Sequence, residues 1–182
     1  DHTIQLDSLT LRSKRSFVDG RGQIRLAPVD SLLYDNELVF TAAPLSFDDV
    51  RLFLPNLAPG HDATINLKVG RDDQALTALG KIDLSDGAAF DFEGSWYGDE
   101  PSQLLAEGHL TNFNPALVAH DSGVEGLLNA NLSTNLVGEE AESVSGISIL
   151  SLYDAKINGY PLDSTLVDVQ FNEGEANLSL IT

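Results

Sequence analysis

Apolar and polar residues alternate with period two along most of the chain, the signature of strands with one sheltered face. From Leu76 to Leu110 the even positions read Leu76, Ala78, Gly80, Ile82 and Leu84, then Phe90, Phe92, Gly94 and Trp96. They continue with Leu104, Ala106, Gly108 and Leu110. Lys81, Asp83, Asp91, Glu93, Glu107 and His109 fall between them. A second run, Val124, Gly126, Leu128, Ala130, Leu132, Thr134 and Leu136, alternates with Glu125, Asn129, Asn131, Ser133 and Asn135. Shorter versions lie at Ile65–Val69, Val167–Phe171 and Ala176–Leu180. Breakers such as Asp19-Gly20, Gly70-Arg71-Asp72-Asp73, Ser85-Asp86-Gly87, Gly98-Asp99-Glu100-Pro101, Gly138-Glu139-Glu140 and Asn172-Glu173-Gly174 separate the runs. The pattern predicts an all-β chain of about ten to thirteen strands.

A glycine followed by alternating apolar residues recurs inside the strands. It opens Gly22–Leu26, Gly80–Leu84, Gly94–Trp96, Gly108–Leu110, Gly126–Leu128 and Gly146–Ile149, and three of these glycines are 14 residues apart. Mid-strand glycine marks a bend, a bulge or a close approach. Its recurrence at one phase predicts a sheet that curls at the same place on every strand.

Two segments break the alternation. Phe47, Val50, Phe53 and Leu54 have helical spacing, with Ser46 as N-cap, Asp48 and Asp49 in the first turn and Pro55 as the stop. Thr111–Val118 reads as a shorter helical turn with Pro115 near its start. Both are expected to plug an end of the sheet or to bridge its two halves.

Composition narrows the function. Apolar residues make up 42% and charged residues 21%, a globular rather than a disordered balance. With no cysteine, disulfide scaffolds, Cys-ligated zinc, iron–sulfur clusters and thiol nucleophiles are excluded. The net charge of −18 argues against nucleic acid and equally against an electrostatic grip on anionic membrane surfaces. No run approaches 18 apolar residues, so no helical membrane span and no signal peptide are predicted within these residues. The start at Asp1-His2-Thr3-Ile4 and the lack of Met read as an internal segment of something longer, 1–182 as one β-rich unit with sub-blocks 1–121 and 122–182.

Candidate chemistry is sparse. There is no G-x-S-x-G elbow, Walker loop or H-E-x-x-H, and Gly20-Arg21-Gly22 reads as a hairpin turn. His2, His61, His109 and His120 are too scattered for a ligand pair, and His109 falls on the polar phase. Asp91 and Glu93 share a strand face as a glycosidase pair would, but a solvated acidic face accounts for them. Asp83, Asp86 and Asp91 lack the calcium-loop spacing. The sequons at Asn131 and Asn177 lie in predicted strands. Phe90, Phe92, Trp96 and Tyr97 suit a sugar platform, yet three of the four take the apolar phase and read as packing. No catalytic residue, metal or cofactor is expected.

The later chain carries the most specific pattern. Val144–Asp163 reads as a strand followed by Lys156-Ile157-Asn158-Gly159-Tyr160-Pro161-Leu162-Asp163. This resembles the degenerate "G-x-L-x-L-x-x-a-x-I-x-G-x-x-L-d" repeats of the AsmA/TamB superfamily, large periplasmic proteins of Gram-negative bacteria. Asn112–Val118 ahead of Val124–Leu128 is similar to that family's "l-d-p-a-x-l" turn, and Leu45–Leu57 to its "d-l-x-x-l-x-p-x-l" turn. The resemblance spans roughly residues 40–182 and lacks the family's N-terminal membrane helix and any recognisable C-terminal domain. It implies a long antiparallel sheet folded lengthwise into an open, taco-like trough. It also implies phospholipid transport between inner and outer membranes, a parent anchored in the inner membrane, and an Omp85-type outer-membrane partner.

A lipid trough must shield acyl chains, because exposing about 30 methylenes costs about 24 kcal/mol at roughly 0.8 each. The charge-free even phase from Leu76 to Leu110 and from Val124 to Leu136 meets that demand, and a closed sandwich or jelly-roll core would meet it too. The groove-lining candidates are Ile82, Leu84, Phe90, Phe92, Trp96, Leu104, Leu110, Leu128, Leu132 and Leu136. A closed sandwich that binds carbohydrate or a protein is the alternative, and a scaffold offering strand edges to outer-membrane proteins is a third reading. An open trough predicts water access at Leu84, Phe92 and Leu128; a sandwich predicts dry ones.

Overall fold

The computed structural model describes residues 3–25, 37–71, 75–98, 101–118, 123–138, 143–162, 164–173 and 175–181. His2, His120, Leu26, Asp163 and the turn positions 72–73, 99–100, 139–140 and 174 lie outside them. The strands are β1 (Thr3–Arg12), β2 (Phe17–Arg25), β3 (Glu37–Ser46), β4 (Asp62–Arg71), β5 (Ala75–Leu84) and β6 (Ala89–Tyr97). They continue as β7 (Gln103–Phe113), β8 (Gly126–Val137), β9 (Ser145–Ile157), β10 (Tyr160–Pro161), β11 (Leu166–Asn172) and β12 (Glu175–Ile181).

All twelve belong to one antiparallel sheet. Eleven follow chain order, β1 through β9 and then β11 and β12, while the two-residue β10 pairs only with β9. β1 and β12 do not pair, so the sheet is open, and the closed sandwich is not what this sequence forms. Several strands are tied to their chain neighbours by short turns with residues suited to tight reversal, as at Ser85-Asp86-Gly87, where Gly87 has φ 93°. By contrast, β3–β4 and β7–β8 are joined by the longer segments 47–61 and 114–125. The strand count falls inside the range the alternation predicts.

The recurring glycines divide into two kinds. Gly80, Gly94 and Gly108 keep ordinary strand dihedrals, so they are not bends set by backbone chirality; at Gly80 and Gly108 the missing Cβ leaves room for the rings of Phe92 and Phe90. Gly22, Gly126 and Gly146 instead face backbone. A Cβ at Gly146, which has φ +140°, would stand 2.1 Å from the Asn135 carbonyl oxygen.

The helix read from Phe47 to Leu54 is shorter than its spacing predicts. Only Phe47–Val50 (α1) is helical, followed by turns closed by Phe53 N–H to Val50 O and Leu57 N–H to Leu54 O. Phe47 is buried, but nothing covers Phe53 and Leu54, and so short a helix needs tertiary support to continue. Ser46 occupies the N-cap position with an extended backbone, yet its side chain makes no capping bond. The second break is a 3-10 turn at Pro115–Leu117, capped by Asn114 Oδ1 accepting from Ala116 N–H at 3.1 Å. Thr111–Phe113, expected in that turn, complete β7 instead.

Both segments do meet, as expected of elements that plug one end. Phe47, Leu57, Ala58, Ala63 and Leu117 form a buried cluster. The Ala58 N–H donates to the Leu117 carbonyl at 2.8 Å, joining the β3–β4 and β7–β8 connections with β5 and β6 between them. We refer to this as the lid.

Candidate functional site

Residues directly opposite one another in adjacent strands share a face, so the register assigns every side chain to one of two surfaces. One row crosses eleven strands: Leu9, Gly20, Phe40, Leu67, Gly80, Phe92, Gly108, Leu132, Leu150, Val167 and Leu180. The row toward the lid runs Ile65, Ile82, Phe90, Leu110, Ala130 and Leu152. On the other side, Val69, Ala78, Gly94, Ala106, Thr134 and Ser148 form a row of mostly small residues. The last row brings Leu76, Trp96, Leu104 and Leu136 together, with Arg71 at its β4 end. Among the paired residues of these rows, Arg71 is the one charged side chain.

All ten candidates fall on this apolar face. Phe90 and Phe92 stack with ring centroids 5.5 Å apart, and Leu132 flanks Gly108, beneath the Phe90 ring. Leu84, Phe92 and Leu128 are all partly accessible, which is the outcome an open surface predicts. No large side chain is completely buried among the described residues. Trp96 and Leu104, at the end away from the lid, remain 43% and 39% exposed. Ile82 and Leu84 differ from the other candidates because they pack against the lid cluster. That contact was invisible in the sequence, as were the contributions of Leu38, Phe40, Leu150 and Leu152, whose alternation was present but whose face required the register.

The opposite face carries the charged residues of β4 to β7 other than Arg71, interrupted by Val39, Leu79, Leu105, Ile147 and Ile149. A groove of about 700 Å³ crosses β4 to β8 there, lined by the charged Lys68, Lys81, Asp91, Glu93 and Glu107, by His109 and by the exposed Leu79. His109 lies on this face, as its phase predicts. Its Nδ1 is 2.6 Å from Asn131 Oδ1, and its ring stacks on Tyr153 at 6.0 Å. Asp91 stands opposite Lys81 and His109, and the Lys81 ammonium pairs with Asp83 on its own strand at 3.4 Å. No group of three or more His, Cys, Asp or Glu side chains close enough to hold a metal occurs among the described residues. No helix among them is long and apolar enough to cross a membrane.

Comparison with protein-family models, curated proteins and solved structures finds no match to this chain.

Proposed function

We propose that the apolar face is a lipid-contact surface: phospholipid acyl chains lie against it while the acidic face keeps the sheet in water. The observation that carries this reading is the continuous apolar row from Leu9 to Leu180, partly open to solvent at its side chains, with Gly20 and Gly80 covered by phenylalanine rings. Ten strand-to-strand steps at about 4.8 Å make it about 48 Å long. Exposed apolar surface on that scale is uncommon in a monomer without a partner for it. The lid closes one side, and Trp96 and Leu104 stand at the side left open. In this reading the chain is a segment of a periplasmic AsmA/TamB-like protein that moves phospholipid between inner and outer membranes, with the parent anchored in the inner membrane and working with an Omp85-family protein.

The test is native mass spectrometry with lipid extraction after purification from a Gram-negative host. Phospholipid should co-purify, and Phe92→Asp should remove it. Leu104→Asp changes a position already in contact with water, so it should also reduce bound lipid while the circular dichroism of the sheet stays unchanged. A lipid-free chain that takes up no fluorescent fatty-acid probe would overturn the reading.

A further inference from the structure

The turn that follows α1 presents three large apolar side chains in succession. Leu52 and Phe53 are each 83% exposed and Leu54 is 57% exposed. This knuckle is anchored firmly at its base. Phe47 and Leu57 are buried on either side of it, and Arg51 N–H donates to Phe47 O at 2.8 Å. Asp48 Oδ1 accepts from Gly60 N–H at 3.2 Å, which closes the loop across its neck.

The tip of the β1–β2 hairpin lies against the same turn. Ser13 and Ser16 donate their hydroxyls to Asp49, Arg15 pairs with Asp48, and Ser46 N–H donates to Ser16 Oγ at 3.0 Å. These contacts gather Arg12, Lys14, Arg15 and Arg51 at one corner, four of the ten Lys and Arg residues in the chain. Arg15 pairs with Asp48, Arg12 lies over the Phe17 ring and Arg51 Nε donates to the Pro55 carbonyl. Asp49, hydrogen-bonded by the two serines, keeps its negative charge, so four cations against two acids leave a local excess of two positive charges. The overall charge of −18 argues against attraction to anionic surfaces, yet this corner holds a local excess of positive charge, its basic collar, on the same turn as the apolar tip.

We infer that this corner docks on an anionic phospholipid bilayer, with Leu52, Phe53 and Leu54 entering the interface and the basic collar meeting lipid phosphates. Apolar side chains that partition into the acyl boundary, with Lys and Arg at headgroup level, form the combination by which peripheral proteins bind such membranes. At about 0.1 M salt the Debye length is about 10 Å, so the acidic face beyond the corner is screened while the collar is in contact. The inference does not rest on the acyl-chain reading of the sheet.

Vesicle flotation of the full chain tests it. In about 0.1 M salt the chain should float with phosphatidylglycerol/phosphatidylethanolamine vesicles and much less with phosphatidylcholine vesicles. Phe53→Ser, at a position 83% exposed, should lower the partition coefficient about tenfold. Lys14→Glu should lower it on anionic vesicles and leave the phosphatidylcholine value unchanged. Failure to float with anionic vesicles, equal flotation of Phe53→Ser, or equal binding to both lipids would overturn the inference. So would a dimer in solution that Phe53→Ser dissolves, seen without vesicle binding, because the knuckle would then serve a second copy. Leu104→Asp separates the two readings: it should reduce bound lipid and leave flotation intact.

Discussion

The Phe92 ring lies over Gly80 of the neighbouring strand so closely that a Cβ at Gly80 would stand 2.1 Å from its Cε1. The same arrangement recurs where Phe40 covers Gly20, with Cδ1 2.7 Å from the corresponding point. Glycine is thus kept at these positions by a ring and not by its backbone, since Gly80 carries no left-handed φ. Each ring laid flat across a glycine also lowers the surface of the apolar row at that place. An acyl chain crossing the sheet would there meet the side of a ring instead of an upright side chain.

Gly80→Ala should therefore displace Phe92 and destabilise the sheet by about 1–2 kcal/mol. In a Phe92→Leu background the same substitution should become neutral or stabilising by about 0.5 kcal/mol, because alanine loses less conformational freedom on folding than glycine. A double-mutant cycle by urea denaturation checks this. Equal cost in both backgrounds would mean that the ring is not what excludes a side chain at Gly80.

Leu117 is 3% exposed and forms the far side of the lid cluster. Leu117→Ala should weaken the lid by about 2–3 kcal/mol, the low end for a buried leucine at a site that can partly collapse. The lid touches one end of a sheet whose other rows hold themselves through their ladders. The loss should thus appear as local opening. Hydrogen exchange should accelerate at the Ala58 amide, which donates to the Leu117 carbonyl, and remain slow at Gly108 in the middle of the sheet. Uniform acceleration throughout would show that the lid and the sheet open as one unit.

What could be read from the sequence follows the range of the interactions involved. Strand identity was legible because Leu76–Leu110 alternates almost without exception and turn residues punctuate it. The shared face of the ten candidates was legible for the same reason, since a one-residue slip would turn a strand's whole apolar set to the other face. The lid contact was not, because Ala58 and Leu117 meet across β5 and β6 and nothing local links them. The helix was overread because Phe53 and Leu54 satisfy a helical period while facing solvent. The 14-residue spacing of Gly80, Gly94 and Gly108 was visible, yet its meaning depended on the partner strand. Gly80 and Gly108 both lie opposite Phe92, whereas Gly94 lies one row away between Ala78 and Ala106. The basic corner escaped notice because Arg12, Lys14 and Arg15 are far in sequence from Arg51, and only the serine–aspartate contacts bring them together.

Those contacts respond to pH in a direction that can be worked out. Hydrogen bonds from Ser13 and then Ser16 hold the Asp49 carboxyl below its ordinary value of 3.8, outweighing a small opposing effect of burial; Arg15 adds a weaker attraction. A carboxyl whose native pKa is depressed contributes stability that is fully present above its unfolded value and is lost as pH falls through the native one. The junction between hairpin and lid should therefore be insensitive to pH from neutrality down to about 4 and loosen only below that. Ser13→Ala with Ser16→Ala should move the Asp49 titration, followed through its carboxyl carbon by NMR, back up toward 3.8. In that variant the release of the hairpin tip should lose its acid dependence. An Asp49 titration unmoved by removing both hydroxyls would mean that Arg15, and not the serines, holds the carboxylate.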